Sequence, residues 1–228
     1  MKGMAITDHG DMFGIKEFFN YVQKVNKDNK EFNFKPIFGC EVYCARRGRH
    51  IKKEKIDNSG WHLILLAKNE QGYHNLIKIV SHAWIEGFYS RPRTDHEELQ
   101  KYHEGLICCS ACLGGEVPKY ILNGQIDKAE ESVQWFKNLF GEDYYLELQR
   151  HEVTNPHQRA NRETFELQKT VNPELIRIAH KYNIKLICTN DVHFVDEENA
   201  EAHDRLLCLS TGKDLDDPRR MLYSKQEW

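Results

Sequence analysis

No stretch of this 228-residue sequence is both long and apolar enough to span a bilayer, which excludes an integral helical membrane protein. The opening Met1-Lys2-Gly3-Met4 has no signal-peptide h-region. Charge of one sign is also missing. Lys and Arg number 32 against 35 Asp and Glu, a net charge of -3, so bulk charge gives no support for tight, nonspecific nucleic-acid binding. No CxxC pair forms a zinc-ribbon pattern. The 7 cysteines are an odd number, scattered over Cys40, Cys44, Cys108, Cys109, Cys112, Cys188 and Cys208. That usage predicts a reduced, cytoplasmic protein whose cysteines are mostly core residues, with one available as a metal ligand. Internal repeats and low-complexity segments are absent.

What is present is a globular balance, 40% hydrophobic and 29% charged, enough for one domain with a sizeable core. Short apolar runs predict strands at Met4–Thr7, Pro36–Cys44, His62–Ala67, Leu106–Ser110, Tyr144–Gln149 and Ile184–Thr189. Helical spacing falls between them, over Phe13–Val25, Tyr73–Trp84, Ile126–Phe140, Asn161–Tyr182 and Asn199–Leu209, with Pro173 expected to break the fourth. Met1–Met4 reads as the end of a helix. Asp57-Asn58-Ser59-Gly60 reads as a turn, and the basic run Arg46–Lys55 as a solvated loop. Repeated strand–helix alternation argues for an α/β fold with a largely parallel sheet or barrel.

In parallel α/β architectures functional groups gather at the C-terminal ends of strands. The unusual residues, drawn from 12 histidines and the acidic set, fall there. Asp191 and His193, two apart at a strand end, point the same way and suit a divalent metal. They equally fit a turn in which Asp191 caps the next helix. Asp8-His9 ends the first strand, where one side chain reaches a metal and the other orients it through a hydrogen bond. Glu41 could bridge two metals or be an exposed strand glutamate. Cys108 and Cys109 belong to an apolar run, whereas Cys112 lies beyond it beside Gly114-Gly115, where a thiolate can reach a site. Thiolate with imidazole favours zinc over magnesium. His62 precedes its apolar run, so that strand runs antiparallel or His62 is no ligand. Arg91 and Arg93, flanking Pro92, could hold a phosphate or DNA by bidentate contacts, or form a stiff surface loop. Several ligands from several strand ends are typical of hydrolytic sites with metals roughly 3.5–4 Å apart.

The motifs Ala5–Gly14, Lys35–Glu41, Trp61–Ala67 with Asn75-Leu76, Phe88–Arg93, Leu106–Gly115, Thr189–Phe194 and His203–Gly212 together resemble the PHP (polymerase and histidinol phosphatase) domain of bacterial replicative DNA polymerase III alpha subunits. The resemblance covers nearly the whole chain. It implies a distorted seven-stranded (β/α) barrel of PHP type, here as a domain over residues 1–212 with a connector towards a polymerase palm at 213–228. It implies His9, Glu41, His62, Cys112, Asp191 and His193 as ligands of up to three divalent metals, zinc first and Mg or Mn as alternatives, with Asp8 in support. It also implies metal-dependent phosphoesterase or 3′–5′ exonuclease chemistry, with DNA, the rest of the polymerase alpha subunit and a proofreading exonuclease subunit as partners.

One departure from the family pattern stands out. PHP domains begin with a strand carrying a His-x-His pair, and nothing of that kind precedes Asp8. The resemblance therefore implies a domain lacking its first strand, with a partly occupied metal site. Two alternatives to an active enzyme domain follow: a non-catalytic scaffold of the polymerase, and a free-standing PHP phosphatase acting on a small phosphate ester.

Overall fold

A computed structural model describes residues 1–29, 31–152 and 159–223. In chain order the elements are β1 (Gly3–Ile6), α1 (Ile15–Asp28), β2 (Lys35–Cys44), β3 (Trp61–Ala67), α2 (Glu70–Ile85), β4 (Arg93–Thr94), α3 (His96–Tyr102) and β5 (Leu106–Cys109). They continue with α4 (Glu116–Leu122), α5 (Ile126–Phe140), β6 (Tyr144–Leu148), α6 (Glu166–Tyr182), β7 (Lys185–Cys188) and α7 (Ala200–Thr211). All six strands expected from the apolar runs are present. The two-residue β4 is additional, too short for any periodicity to announce.

The sheet runs β1-β2-β3-β5-β6-β7, with β4 paired to β2 off that path. Pairing is parallel for β1–β2, β5–β6 and β6–β7, and antiparallel on both sides of β3. The reversal of β3 puts its N-terminal residues, Trp61 and His62, opposite Cys44 and Tyr43. His62 therefore lies at the same end of the sheet as the C-termini of the other strands. The antiparallel option raised by the position of His62 is the one the chain adopts.

The core lies between the sheet and its helices. Leu65, Cys108 and Leu146 from the strands meet Leu76 and Ile79 of α2, Phe136 of α5, and Leu175 and Ile178 of α6. Each side chain of this size, fully buried, contributes about 1.5–3 kcal/mol of transfer free energy. Cys40, Cys44, Cys108, Cys109 and Cys208 are buried, Cys112 is half-buried and Cys188 is exposed, and all seven are free thiols.

Four expectations are corrected. Gly3 and Met4 are strand, not helix end: they pair with Lys35 and Pro36, and a Cβ on Gly3 would lie 2.6 Å from the Lys35 carbonyl oxygen, so glycine permits that approach. α6 runs through Pro173 unbroken. One missing N–H bond costs less than withdrawing Val171, Leu175, Ile178 and Ala179 from the core on either side of it. The sequence pattern also lacked α3 and α4, seven residues each, which are held by packing rather than by length. Finally, the basic run is not simply solvated. Arg49 is buried and its guanidinium meets Asp95, Glu98 and Glu86, while Arg47 pairs with Asp57. Asp57 closes its bend by accepting the Lys53 N–H at 2.9 Å.

α7 ends at Gly212, in the left-handed region at φ 63°. Residues 213–223 follow without helix or strand, and 224–228 lie outside the described residues. Residues 221–223 nevertheless fold back over the sheet end rather than leading straight away from it.

Candidate metal centre

Parallel pairing carries β1 and β2 past their last ladder residues in register, with a single further bridge between His9 and Glu41. The Glu41 N–H donates to the Asp8 carbonyl (3.0 Å), and the Gly10 N–H donates to the Glu41 carbonyl (2.9 Å). On the other side of β2, His62 is paired with Tyr43. Three neighbouring strand ends thus present His9, Glu41 and His62 on one surface.

Cys112 arrives from β5 through a tight turn. Ala111 sits in the left-handed region at φ 62°, and the Gly115 N–H closes the turn onto the Cys112 carbonyl at 2.9 Å. Gly114 is required there: a Cβ would lie 2.9 Å from Nδ1 of His62. The Gly114 N–H points at Cys112 Sγ (3.4 Å), and Sγ lies 3.4 Å from His62 Nδ1.

From β7 come Asp191 and His193. The Nδ1 of His193 lies 2.8 Å from the Asp191 carbonyl. A carbonyl only accepts, so Nδ1 carries the proton and Nε2 keeps its lone pair for a ligand. The sheet curls enough that His193 reaches His9, ring centroid to ring centroid 5.6 Å.

His9, Glu41, His62, Cys112, Asp191 and His193 all line one cavity of about 210 Å³. Within it, ligand atoms of Glu41, His62 and Cys112 lie within 4.8 Å of one another. Glu41 Oε1 is 2.5 Å from His62 Nδ1 and 3.4 Å from His9 Nδ1. This oxygen is buried, and both imidazoles converge on it.

Electrostatics follow from that crowding. Burial alone would raise the Glu41 pKa, but the approach of His62 and His9 outweighs it and holds the carboxyl at about 2. Glu41 in turn raises His9, against the opposing effect of burial. Burial raises Asp191, with His193 pulling it back and Glu41 pushing it further up. Burial likewise pushes the Cys112 thiol well up, helped by Asp191 and Glu41 and opposed by the Gly114 N–H. Asp191 and Cys112 thus sit where their charged forms are disfavoured, which a bound cation would relieve. A donor set of carboxylate, imidazole and thiol is of the kind that suits zinc.

Three expected contributors stand outside this cavity. The Asp8 carboxylate accepts the Gly14 N–H at 3.0 Å, tying the strand end to the start of α1, while its main chain rather than its side chain holds Glu41. Arg91 is exposed and its guanidinium lies 5.8 Å from the Tyr43 ring, which itself meets His62 edge-on at 5.4 Å. Arg93 is fully buried and donates to the carbonyls of Gly87, Ile51 and Arg49. With its donors spent inside the protein it is not available to a phosphate, and that expectation is withdrawn.

The sequence reading passed over Gln149, His151, Gln168 and residues 221–223, which also line the cavity. His151 is buried, with Nδ1 2.7 Å from Gln168 Nε2 and Nε2 2.8 Å from Asn190 Oδ1. A signal existed: Glu147, Gln149 and His151 recur at a period of two along and beyond β6, opposite in phase to Leu146 and Leu148. For Met221 and Tyr223 there was none.

A family model described as PHP domain matches residues 1–151. Across its length the chain is also similar to DNA polymerase III subunit alpha of Borreliella burgdorferi (40% identical, 100% of the chain, 18% of the relative). The same subunit of Treponema pallidum is 41% identical over 100% of the chain and 18% of the relative. That of Thermus aquaticus is 37% identical over 99% of the chain and 17% of the relative. The chain thus spans less than a fifth of the length of these curated relatives. On the family match and these relatives together, the chain belongs to the PHP domain family.

Proposed function

We propose that this chain is the PHP domain of a replicative DNA polymerase III alpha subunit and carries a divalent-metal phosphoesterase site. The observation that carries the proposal is the convergence of His9, Glu41, His62, Cys112, Asp191 and His193, from five strand ends, on one cavity. In this reading the curled sheet is the greater part of a PHP-type barrel. Residues 1–212 are the domain, and 213–228 connect it towards the polymerase palm.

Glu41, His62 and Cys112 would hold one ion, with zinc preferred by the thiol and Mg or Mn as alternatives. His9, Asp191 and His193 would complete the site across the curl. A divalent ion in such a site polarises phosphoryl oxygens and lowers the pKa of water. The protein's own groups bind and orient the ester. Arg91, beside the mouth, takes a phosphate oxygen, and Nε2 of His193 faces the site as a base or ligand. The reaction is phosphodiester hydrolysis from a DNA 3′ end in the bacterial cytoplasm. DNA, the remainder of the alpha subunit and a proofreading exonuclease subunit are the partners.

A second reading, a non-catalytic scaffold, is favoured by the 2.5 Å contact between Glu41 and His62. At that distance the carboxyl oxygen and the ring nitrogen meet each other directly rather than across an ion. Elemental analysis separates the two. The purified chain, stripped with chelator and dialysed against zinc, is expected to retain at least one ion per molecule, and Cys112→Ser to lose it. If no ion is retained, the scaffold reading stands. A polymerase carrying the domain, freed of its proofreading subunit, is expected to release nucleotides from single-stranded 3′ ends only when metal is supplied.

A further inference from the structure

Beneath the metal cavity, Glu147 of β6 is a buried carboxylate that none of the candidate ligand roles uses. Its Oε1 accepts the Ala111 N–H at 2.7 Å. Its Oε2 accepts the Thr189 hydroxyl at 2.6 Å. Its own N–H donates to Ser110 Oγ at 2.9 Å. Gln149, one pleat further along β6, donates through Nε2 to Thr189 Oγ1 at 3.2 Å. One side chain therefore ties the end of β5 to the end of β7, across the strand between them.

The positions it ties are particular. Ala111 immediately precedes Cys112, and Thr189 lies two residues before Asp191. Ala111 is also a non-glycine residue in the left-handed region, at φ 62°. That conformation is uncommon for alanine and persists only where the surroundings over-determine it. A short hydrogen bond from its own N–H to a buried carboxyl oxygen, at 2.7 Å, is such a constraint. Were the peptide to relax to an ordinary conformation, Sγ of Cys112 would swing away from His62, which lies 3.4 Å from it. An apolar residue at 147 would fill the same space without burying a carboxyl group. A core requirement alone therefore does not account for glutamate here.

We infer that Glu147 is a positioning residue for the metal centre: by gripping Ala111 and Thr189 at once, it sets the Cys112 turn and the Asp191 loop at the mutual spacing the shared cavity needs. The inference rests on the metal-site reading above. It concerns a group that touches neither the ion nor a substrate and acts through the backbone on either side.

Cobalt(II) titration tests it, because a Cys thiolate bound to cobalt gives a near-ultraviolet charge-transfer band that a merely folded chain does not. The wild-type chain is expected to show that band. Glu147→Gln keeps an acceptor for the Ala111 N–H and an amide N–H that can donate to Thr189 Oγ1 in the reverse direction, so it should bind cobalt within about threefold of wild type. Glu147→Ala should keep its far-ultraviolet circular dichroism, lose about 10- to 100-fold in cobalt affinity, and show a weakened charge-transfer band. Should Glu147→Ala not fold, Thr189→Val decides: it removes one grip only and is expected to cost several-fold in affinity. A folded Glu147→Ala, or in its place Thr189→Val, that binds cobalt with wild-type affinity and a full band overturns the inference and leaves the metal site standing. Absence of the band in the wild type overturns the metal-site reading itself, and the inference falls with it.

Discussion

The rings of His9 and His193 lie 5.6 Å apart, although one follows the first strand of the sheet and the other the last. Curling of the sheet brings them together, and with them everything between. Five strand ends feed one cavity because the sheet's two margins approach each other at that end.

Asp191 stands at the far margin and should be sensitive to loss of charge alone. Asp191→Asn keeps volume and shape, so thermal melting should be unchanged. In a polymerase carrying this domain, metal-dependent release of 3′ nucleotides is expected to fall roughly 100-fold or more, with nucleotide addition retained. Paired exonuclease and extension assays on the two proteins check this.

Burial raises the Cys112 thiol, so without metal it is protonated at neutral pH. Binding must expel that proton, and metal affinity should climb with pH, by about tenfold per unit for each proton displaced. Competition titration with a zinc indicator between pH 6 and 8 measures the slope, and Cys112→Ser should flatten it. Alkylation followed by mass spectrometry offers a second view: zinc should protect Cys112, whereas buried Cys108 and Cys109 remain unlabelled with or without it.

Arg91 and Arg93, two residues apart, should behave oppositely. Arg93→Ala removes the donors from three carbonyls, those of Gly87 and Arg49 buried, and is expected to destabilise the fold by about 3 kcal/mol. Arg91→Ala should leave the urea midpoint in place and instead weaken binding of single-stranded DNA, with a shallower salt dependence. Equal loss of stability in both variants would contradict the assignment.

Glu130 of α5 carries a pH-dependent share of stability. Hydrogen bonds from Lys181 (2.5 Å) and Tyr182 (2.8 Å) and a further contact from Arg177 (2.9 Å) hold its carboxyl at about 2, overcoming a raising effect of burial. The folded pKa is depressed, so the stabilisation is fully present above the unfolded value of roughly 4.3. It fades as pH falls towards 2. Glu130→Gln should therefore cost about 1 kcal/mol at pH 7, and the difference from wild type should shrink between about pH 4 and 2. Urea unfolding of both proteins at several pH values measures it.

Phe136 lies in the core between α5 and the sheet, stacked on Tyr144 at 5.3 Å between ring centroids. Phe136→Ala should destabilise by about 3–5 kcal/mol through lost transfer energy and the cavity left behind. Metal binding by the molecules that remain folded should be unaltered, since the side chain is on the far side of the sheet from the cavity residues.

Much of this was legible in the chain itself. Apolar runs such as Leu63–Ala67 and Leu106–Cys109 mark strands because burial on a pleated sheet demands them. Spaced apolar residues mark α2 and α5 for the same reason on a helix. Polar residues that interrupt strand ends, among them Asp8-His9, Glu41 and Asp191-Val192-His193, stand out as expensive to place there without a purpose. Each of these is a statement about neighbours in sequence, where period and composition carry the physics. Only the tertiary structure decided the remainder. The antiparallel setting of β3 moved His62 to the working end of the sheet. Three inward carbonyls consumed Arg93, while Arg91 stayed in solvent. Pro173 was carried inside α6 by the core on both sides of it. Glu147 found Ala111 and Thr189, which no local pattern connects to it. In each case the deciding partner is distant along the chain, and the energy of meeting it exceeds the local preference that the sequence expresses.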